Sequence, residues 1–283
     1  MTVADYFLPR SLPEALELLR EHGPSLLVMA GGTVAMPLIN EGISLPRQVM
    51  GLGFAGLDGL EPVDSGLRIG ATVTLTGLLR QRHVPMLAQA ARRTASWSVR
   101  NMGTVGGNLF TPPPGGDVAV ALLALDAQVE VRSRDASRTL PLSEFQTGFM
   151  TTALEPGELV TGIGVPAVAG ETAYLKFGRK EANTPSVVTV AVRVRREEDR
   201  VVDARVALGA VGPHALRASR AEAILVGSSL DPGAIDEAAE AAAAECDPFD
   251  DGVASAWYRR AMVRLFVRRA LEGLAQPVAV EGR

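Results

Sequence analysis

Two glycine clusters, roughly seventy residues apart, constrain this chain most: Ala30-Gly31-Gly32-Thr33, and Gly103-Thr104-Val105-Gly106-Gly107-Asn108. Each follows an apolar segment, and each leaves successive backbone N–H groups with no side chain to obstruct an approaching ligand. Such loops suit a diphosphate. Gly31 and Gly32 permit close approach of the main chain. The Thr33 hydroxyl can donate to a phosphate oxygen, and a following helix adds the positive end of its dipole. Thr104, Gly106 and Gly107 offer the same in the second cluster. Taken alone, either cluster is equally well read as a tight turn with no ligand.

The surrounding pattern places these clusters between regular elements. Ser11 to His22 reads as a helix, with Ser11 as N-cap, Glu14 closing a capping box and Leu12, Leu16 and Leu19 on one stripe. Leu26 to Met29 reads as a short buried strand running into the first cluster, with apolar periodicity resuming through Met36, Leu38 and Ile39. Leu67 to Thr76 alternates as strands do. Met86 to Ser96 is helical in pattern, and 101–108 is glycine-dense loop. Three prolines and two glycines then lead to Asp117 and the apolar run Val118 to Leu125. Asp117 is placed to cap that helix.

Beyond Pro166 the texture becomes β-rich, with strands at Thr172 to Gly178, Ser186 to Arg196 and Val201 to Ala210. Helices follow at Ser219 to Val226, Pro232 to Glu245 and Ser255 to Gly273, signalled by a capping box at Ser219 and Glu222 and by Asp231 before Pro232. A second domain is therefore expected from about residue 167. A chain of 283 residues suits two domains at about 150 residues each.

Other signals are weaker. Gly51-Leu-Gly53-Phe-Ala-Gly56 matches the dinucleotide fingerprint G-x-G-x-x-G, but no helix signal follows it and no strand signal precedes it. His22, His83 and His214 share no metal-ligand spacing and read as structural. Arg260, Arg264 and Arg268 recur every fourth residue as one basic ridge, either a solvated face or a docking surface.

Composition excludes several classes. With 47% apolar and 21% charged residues the chain has ample material for a core. The net charge of −4 gives no general attraction to nucleic acid or to an anionic membrane. No apolar run is long enough to span a membrane, and no secretory leader is evident. Cys246 is the only cysteine, so the chain alone can build neither a disulfide nor an iron–sulfur cluster. A reducing, cytoplasmic setting fits.

The order of these features carries a resemblance. Ala30 to Thr33, then Val99-Arg100-Asn101-Met102-Gly103-Thr104-Val105-Gly106-Gly107-Asn108-Leu109, then prolines and Asp117, resembles the flavoprotein subunit of the molybdenum hydroxylases. That group includes the medium subunit of carbon monoxide dehydrogenases and the FAD domain of xanthine dehydrogenases. Tyr174-Leu-Lys176-Phe-Gly-Arg179-Lys180 and Tyr258-Arg259-Arg260 extend the resemblance over nearly the whole chain.

The resemblance implies an α+β fold: a two-subdomain FAD-binding domain of the vanillyl-alcohol-oxidase/PCMH type over 1–166, divided near residue 55, then a smaller C-terminal α/β domain over 167–283. FAD would lie extended between the subdomains. Ala30, Gly31, Gly32, Thr33 and Val34 match one pyrophosphate loop, and Thr104, Val105, Gly106, Gly107 and Asn108 match the other. Asp117 matches an acid that hydrogen-bonds the polar chain of the cofactor, and Leu159 matches a contact to the adenine. Lys176 falls where a basic side chain approaches the pyrimidine end of the flavin. A fixed cation there stabilises reduced flavin, whose charge lies near N1 and O2. A solvated lysine on a strand is the competing reading.

Two departures stand out. Val34 and Ala35 follow the first Gly-Gly-Thr where many relatives have an acid or polar residue. Ala182-Asn183-Thr184-Pro185-Ser186 replaces a Gly-Asp-aromatic sequence, so carbon monoxide is not inferred as substrate. The implied function is a flavin relay, with a molybdenum-cofactor large subunit and an iron–sulfur small subunit as partners. A self-sufficient FAD oxidase or dehydrogenase on the same scaffold is the rival, and a flavin-free binding module is a third class.

Overall fold

A computed structural model describes residues 3–167 and 169–276. The first layer is a parallel sheet in which β1 (Asp5–Phe7) and β2 (Leu26–Met29) flank β3 (Gln48–Gly51). Helix α1 (Leu12–His22) joins β1 to β2, and α2 (Ala35–Asn40) follows β2. Ser11 caps α1 by accepting the Glu14 N–H, while the Glu14 carboxylate accepts the N–H of Arg10, one residue before the expected partner. Ala15, Leu16 and Leu19 of α1 close on Leu26, Met50 and Leu52. β3 carries no strand signal in the sequence, because its four residues end in glycine and gain their pairing from both neighbours.

The second layer is an antiparallel sheet with order β4-β5-β10-β6-β7. β4 is Leu60–Val63 and β5 is Gly66–Gly70. A run of helices follows: α3 (Leu75–Leu78), α4 (Pro85–Arg93), α5 (Trp97–Met102), α6 (Val105–Leu109) and α7 (Asp117–Ala124). After β6 (Gln128–Arg132) and β7 (Ser137–Pro141) come α8 (Leu142–Phe145), the hairpin β8 (Gln146–Gly148) and β9 (Thr151–Thr152), and β10 (Leu159–Pro166). The strand expected from Leu67 to Thr76 stops at Gly70, since Thr74 turns the chain by capping α3 through the Gly77 N–H. The expected loop over 101–108 is mostly helical and opens only at Gly103 and Thr104.

The third layer pairs β11 (Glu171–Gly178), β12 (Ser186–Glu197), β13 (Arg200–Gly209) and β14 (Leu216–Arg217) antiparallel in chain order. Helices α9 (Ser219–Leu225), α10 (Pro232–Glu245) and α11 (Ala256–Ala275) pack against it. Asp231 caps α10 as expected, accepting from the Gly233 and Ala234 N–H groups. Ser219 does not cap α9: its hydroxyl donates to Glu245, and Glu222 instead binds Arg217.

Helix α7 fuses the second and third layers. All eight of its residues are buried, sharing one core with Ile69, Val129 and Ile163 on one side and Tyr174, Ala191 and Ala207 on the other. Directly after α7, Asp126 accepts from Arg193, Arg205 and Arg217 of the third sheet. On the basic ridge of α11, Arg264 pairs with Glu240 and Arg268 with Asp236 of α10 at the surface, and Arg260 donates to the Cys246 carbonyl.

Candidate functional site

The first glycine cluster is an open row of donors. β2 ends at Met29, whose carbonyl accepts the Leu52 N–H, and the chain then turns through Gly32 at φ +66°. The carbonyls of Gly32 and Val34 are drawn into α2, accepting the N–H groups of Met36 at 2.9 Å and Leu38 at 3.4 Å. Among the described residues, none of the N–H groups of Gly31, Gly32, Thr33 and Val34 donates to another backbone group. Four consecutive amides, the first two without side-chain obstruction, are thus left without a backbone partner. Helix α2 has six residues, so its dipole adds little to them.

The second cluster packs directly against the first. A Cβ at Gly31 would lie 1.9 Å from the Met102 carbonyl oxygen, so the two clusters touch main chain to main chain. The Thr33 hydroxyl sits beside Gly103. The second cluster does not, however, offer a matching row of free amides. Val105 and Gly106 donate to the carbonyls of Val73 and Ala71, Gly107 to the Thr104 hydroxyl, and Asn108 to the Thr104 carbonyl. Their role as unobstructed donors is corrected accordingly, because α6 and its pairing with 71–73 consume those N–H groups. What Gly106 supplies is proximity, since a Cβ there would meet the Ala71 carbonyl at 2.7 Å.

Asn108 carries the second cluster onward. Its buried side chain accepts the Ala119 N–H at 2.9 Å, tying α6 to the first turn of α7. Gly116, at φ +78°, is the N-cap of α7, so Asp117 is the first helical residue and not the cap. The Asp117 carboxylate faces the third sheet instead. Lys176 Nζ donates to Asp117 Oδ2 at 2.6 Å, and Oδ1 accepts from Ser186 at 2.6 Å and Thr189 at 2.8 Å.

Both charges of this pair are more than nine-tenths buried, which overturns the reading of Lys176 as a solvated lysine. An ammonium has three donors and this one uses a single bond, while the carboxylate has about one acceptor position left. Tyr174 donates to the Asp117 carbonyl, and burial, with the Asp117 charge adding to it, pushes its phenol well above the ordinary range. Leu159 lies apart from this chain of contacts: it is 5% exposed in the core of the first layer, beside Met50 and Leu52.

Ser186 and Thr189 carry no motif that marks them as site residues. The only hint is the strand register, which sets Thr189 opposite Lys176. The fingerprint at Gly51, Gly53 and Gly56 follows β3 but leads into turns with no helix, so it lacks the geometry for a diphosphate. The His22 ring packs on Phe7, and His214 Nδ1 lies 2.7 Å from the Ala215 carbonyl oxygen. Among the described residues no group of His, Cys, Asp and Glu is arranged to hold a metal, and no helix is long and apolar enough to cross a membrane.

Residues 2–168 match the family described as FAD binding domain in molybdopterin dehydrogenase, and residues 172–274 match the CO dehydrogenase flavoprotein C-terminal domain. The chain is 33% identical to the carbon monoxide dehydrogenase medium chain of Hydrogenophaga pseudoflava, over 94% of this chain and 95% of that one. It is 32% identical to the nicotine 6-hydroxylase medium subunit of Paenarthrobacter nicotinovorans, with the same coverage. The structure of carbon monoxide dehydrogenase from Hydrogenophaga pseudoflava superposes with a TM-score of 0.92, at 33% identity over 96% of this chain and 97% of that one. That of quinoline 2-oxidoreductase from Pseudomonas putida 86 gives 0.91 at 28% identity, over 97% and 98%. The loop at Gly31, its contact with Met102 and the buried Asp117–Lys176 pair thus sit in a chain that belongs to the FAD-binding medium subunits of the molybdenum hydroxylases.

Proposed function

We propose that the chain is the flavin relay of a heteromeric hydroxylase, holding FAD with its diphosphate on the amides of Gly31, Gly32, Thr33 and Val34. The single observation that carries this reading is the row of unused N–H groups, pressed against Met102 where only a glycine fits. Gly31 admits this contact and leaves the anion face open. The Thr33 hydroxyl, beside Gly103, is placed to donate to the same phosphate.

Bound FAD supplies the redox chemistry, taking up electrons and passing them to an external acceptor. The chain's own contribution is positioning and charge. Lys176, with two donors free and its charge fixed by Asp117, would face the pyrimidine end of the ring and hold positive charge there. Asp117 keeps Lys176 in place more than it grips the cofactor, because three of its acceptor positions are filled. An adenine contact by Leu159 would have to reach a side chain that is 5% exposed in the first-layer core.

With one cysteine, buried against α10, this chain cannot ligate iron–sulfur clusters, so electrons would reach it from a small subunit that carries them. A large subunit with the molybdenum cofactor would oxidise the substrate. The test is purification of the chain with and without its two partners, followed by visible spectra. Bleaching of the flavin by substrate only in the three-chain complex supports the relay. Bleaching by substrate in the isolated chain contradicts it.

A further inference from the structure

Among the described residues Arg259 is the largest fully buried side chain, and it reaches the backbone of Ser186, a partner of Asp117. It projects from the first turn of α11, after the cap at Ser255. Its Nη1 donates to the carbonyls of Ser186, Val187 and Ala210 at 2.8 to 3.0 Å. Its Nη2 donates to both oxygens of Asp251 at 2.9 Å, and the guanidinium lies 5.0 Å from the Phe249 ring centre.

The placement of those carbonyls is informative. β11 and β12 pair regularly as far as Phe177 and Val188, and the register then shifts so that Gly178 faces Ser186. Val187 is the extra residue of a β-bulge, a feature that locally disrupts the ladder and re-aims side chains. Arg259 satisfies the carbonyls of Ser186 and Val187 at this bulge. The Ser186 hydroxyl is turned onto Asp117 Oδ1, whose other oxygen holds Lys176. Hydrogen bonds thus link Asp251 through Arg259 to the Ser186 carbonyl, and the Ser186 hydroxyl through Asp117 to Lys176.

We infer that Arg259 is a positioning residue for the flavin end of the site: it fixes the bulge that aims Ser186 at Asp117 and thereby sets the position of the Lys176 ammonium. Only a planar fork reaches three carbonyls and a bidentate carboxylate at once. Lysine keeps the charge and loses the geometry. The inference rests on the reading of Lys176 as a cofactor contact.

The test compares Arg259→Lys, Ser186→Ala and the double variant in the full-length chain. FAD affinity is read by quenching of flavin fluorescence, and coupling in the flavin-free protein is read by urea unfolding. Each single variant is expected to raise the FAD Kd about tenfold, the scale of one lost buried hydrogen bond. The double variant is expected to bind no more weakly than the worse single, because both act on one contact. An unchanged Kd in Arg259→Lys, or a double variant whose loss is the product of the singles, overturns the inference. Should Arg259→Lys not fold, Asp251→Asn loosens the same fork and must shift the Kd in the same direction, again without adding to Ser186→Ala. If the unsubstituted chain does not bind FAD, the functional reading fails. The line through Ser186 is then decided by the unfolding data alone, where additivity overturns it and non-additivity upholds it.

Discussion

Gly31 and Met102 meet at a distance that no side chain tolerates: a Cβ on the first would stand 1.9 Å from the carbonyl oxygen of the second. Residues 71 positions apart in sequence are thereby joined through bare main chain, and the amides from Gly31 to Val34 are left without a backbone partner. Met102 belongs to the last turn of α5, whose Arg100 donates to the carbonyls of Thr94 and Ala95 and so fixes that helix against the end of α4.

Gly31→Ala must push α5 away from the first cluster. FAD affinity is expected to fall by at least about tenfold, and stability by about 1–3 kcal/mol, as overpacking does. Fluorescence titration with FAD and urea unfolding measure the two effects. Gly53→Ala is the contrasting variant, since a Cβ there meets nothing within 4 Å, and both quantities are expected to stay at the unsubstituted values.

Asp117→Asn removes one partner of a buried pair and leaves the Lys176 charge without its counterion. A loss of about 3–5 kcal/mol in unfolding free energy is expected. Adding Lys176→Met to that variant removes the stranded charge and is expected to restore part of the loss. Urea unfolding of the two proteins checks the order, and a double variant less stable than Asp117→Asn contradicts it.

How much of this was readable beforehand follows from the range of the interactions. The bounds of α1 and α10 are written locally, in Ser11, Glu14, Asp231 and Pro232. The β-rich texture of β11, β12 and β13 is local as well. Helix α6 is not: Val105-Gly106-Gly107 has poor helical propensity, and the helix exists because Thr104 caps it and Gly106 packs on Ala71. Asp117 resembles an N-cap in sequence, yet Gly116 takes that place because only a left-handed residue fits the turn. The pairing of Asp117 with Lys176, Ser186 and Thr189 spans 59 to 72 residues and no spacing rule reaches it.

Gly106→Val tests the corrected role of the second cluster. The new side chain would collide with Ala71, whose Cβ lies 2.9 Å from the position a Cβ would take, and stability is expected to drop by about 1–3 kcal/mol or more. FAD binding should weaken in proportion to the displacement of α6. A variant of unchanged stability would show that α6 is not packed on 71–73.

Cys246 gives the structure a pH dependence at the alkaline end. Burial, the largest influence, pushes its thiol from the ordinary 9.0 up to about 12, with Glu245 adding to the rise and Arg260 opposing it. Between about pH 9 and 12 the unfolded thiol loses its proton while the folded one keeps it. Stability therefore declines across that window by up to about 1.4 kcal/mol per pH unit. Cys246→Ala is expected to flatten this part of the profile, as measured by unfolding at stepped pH against the unsubstituted protein. Identical profiles would contradict the burial of the thiol.

The site stands on the amides of Gly31, Gly32, Thr33 and Val34, and their resonances report on it directly. In an ¹⁵N-labelled, flavin-free protein, titration with FAD is predicted to shift all four, while riboflavin, which lacks the diphosphate, leaves them in place. FAD that binds without moving these four amides would contradict the assignment of the diphosphate to this loop.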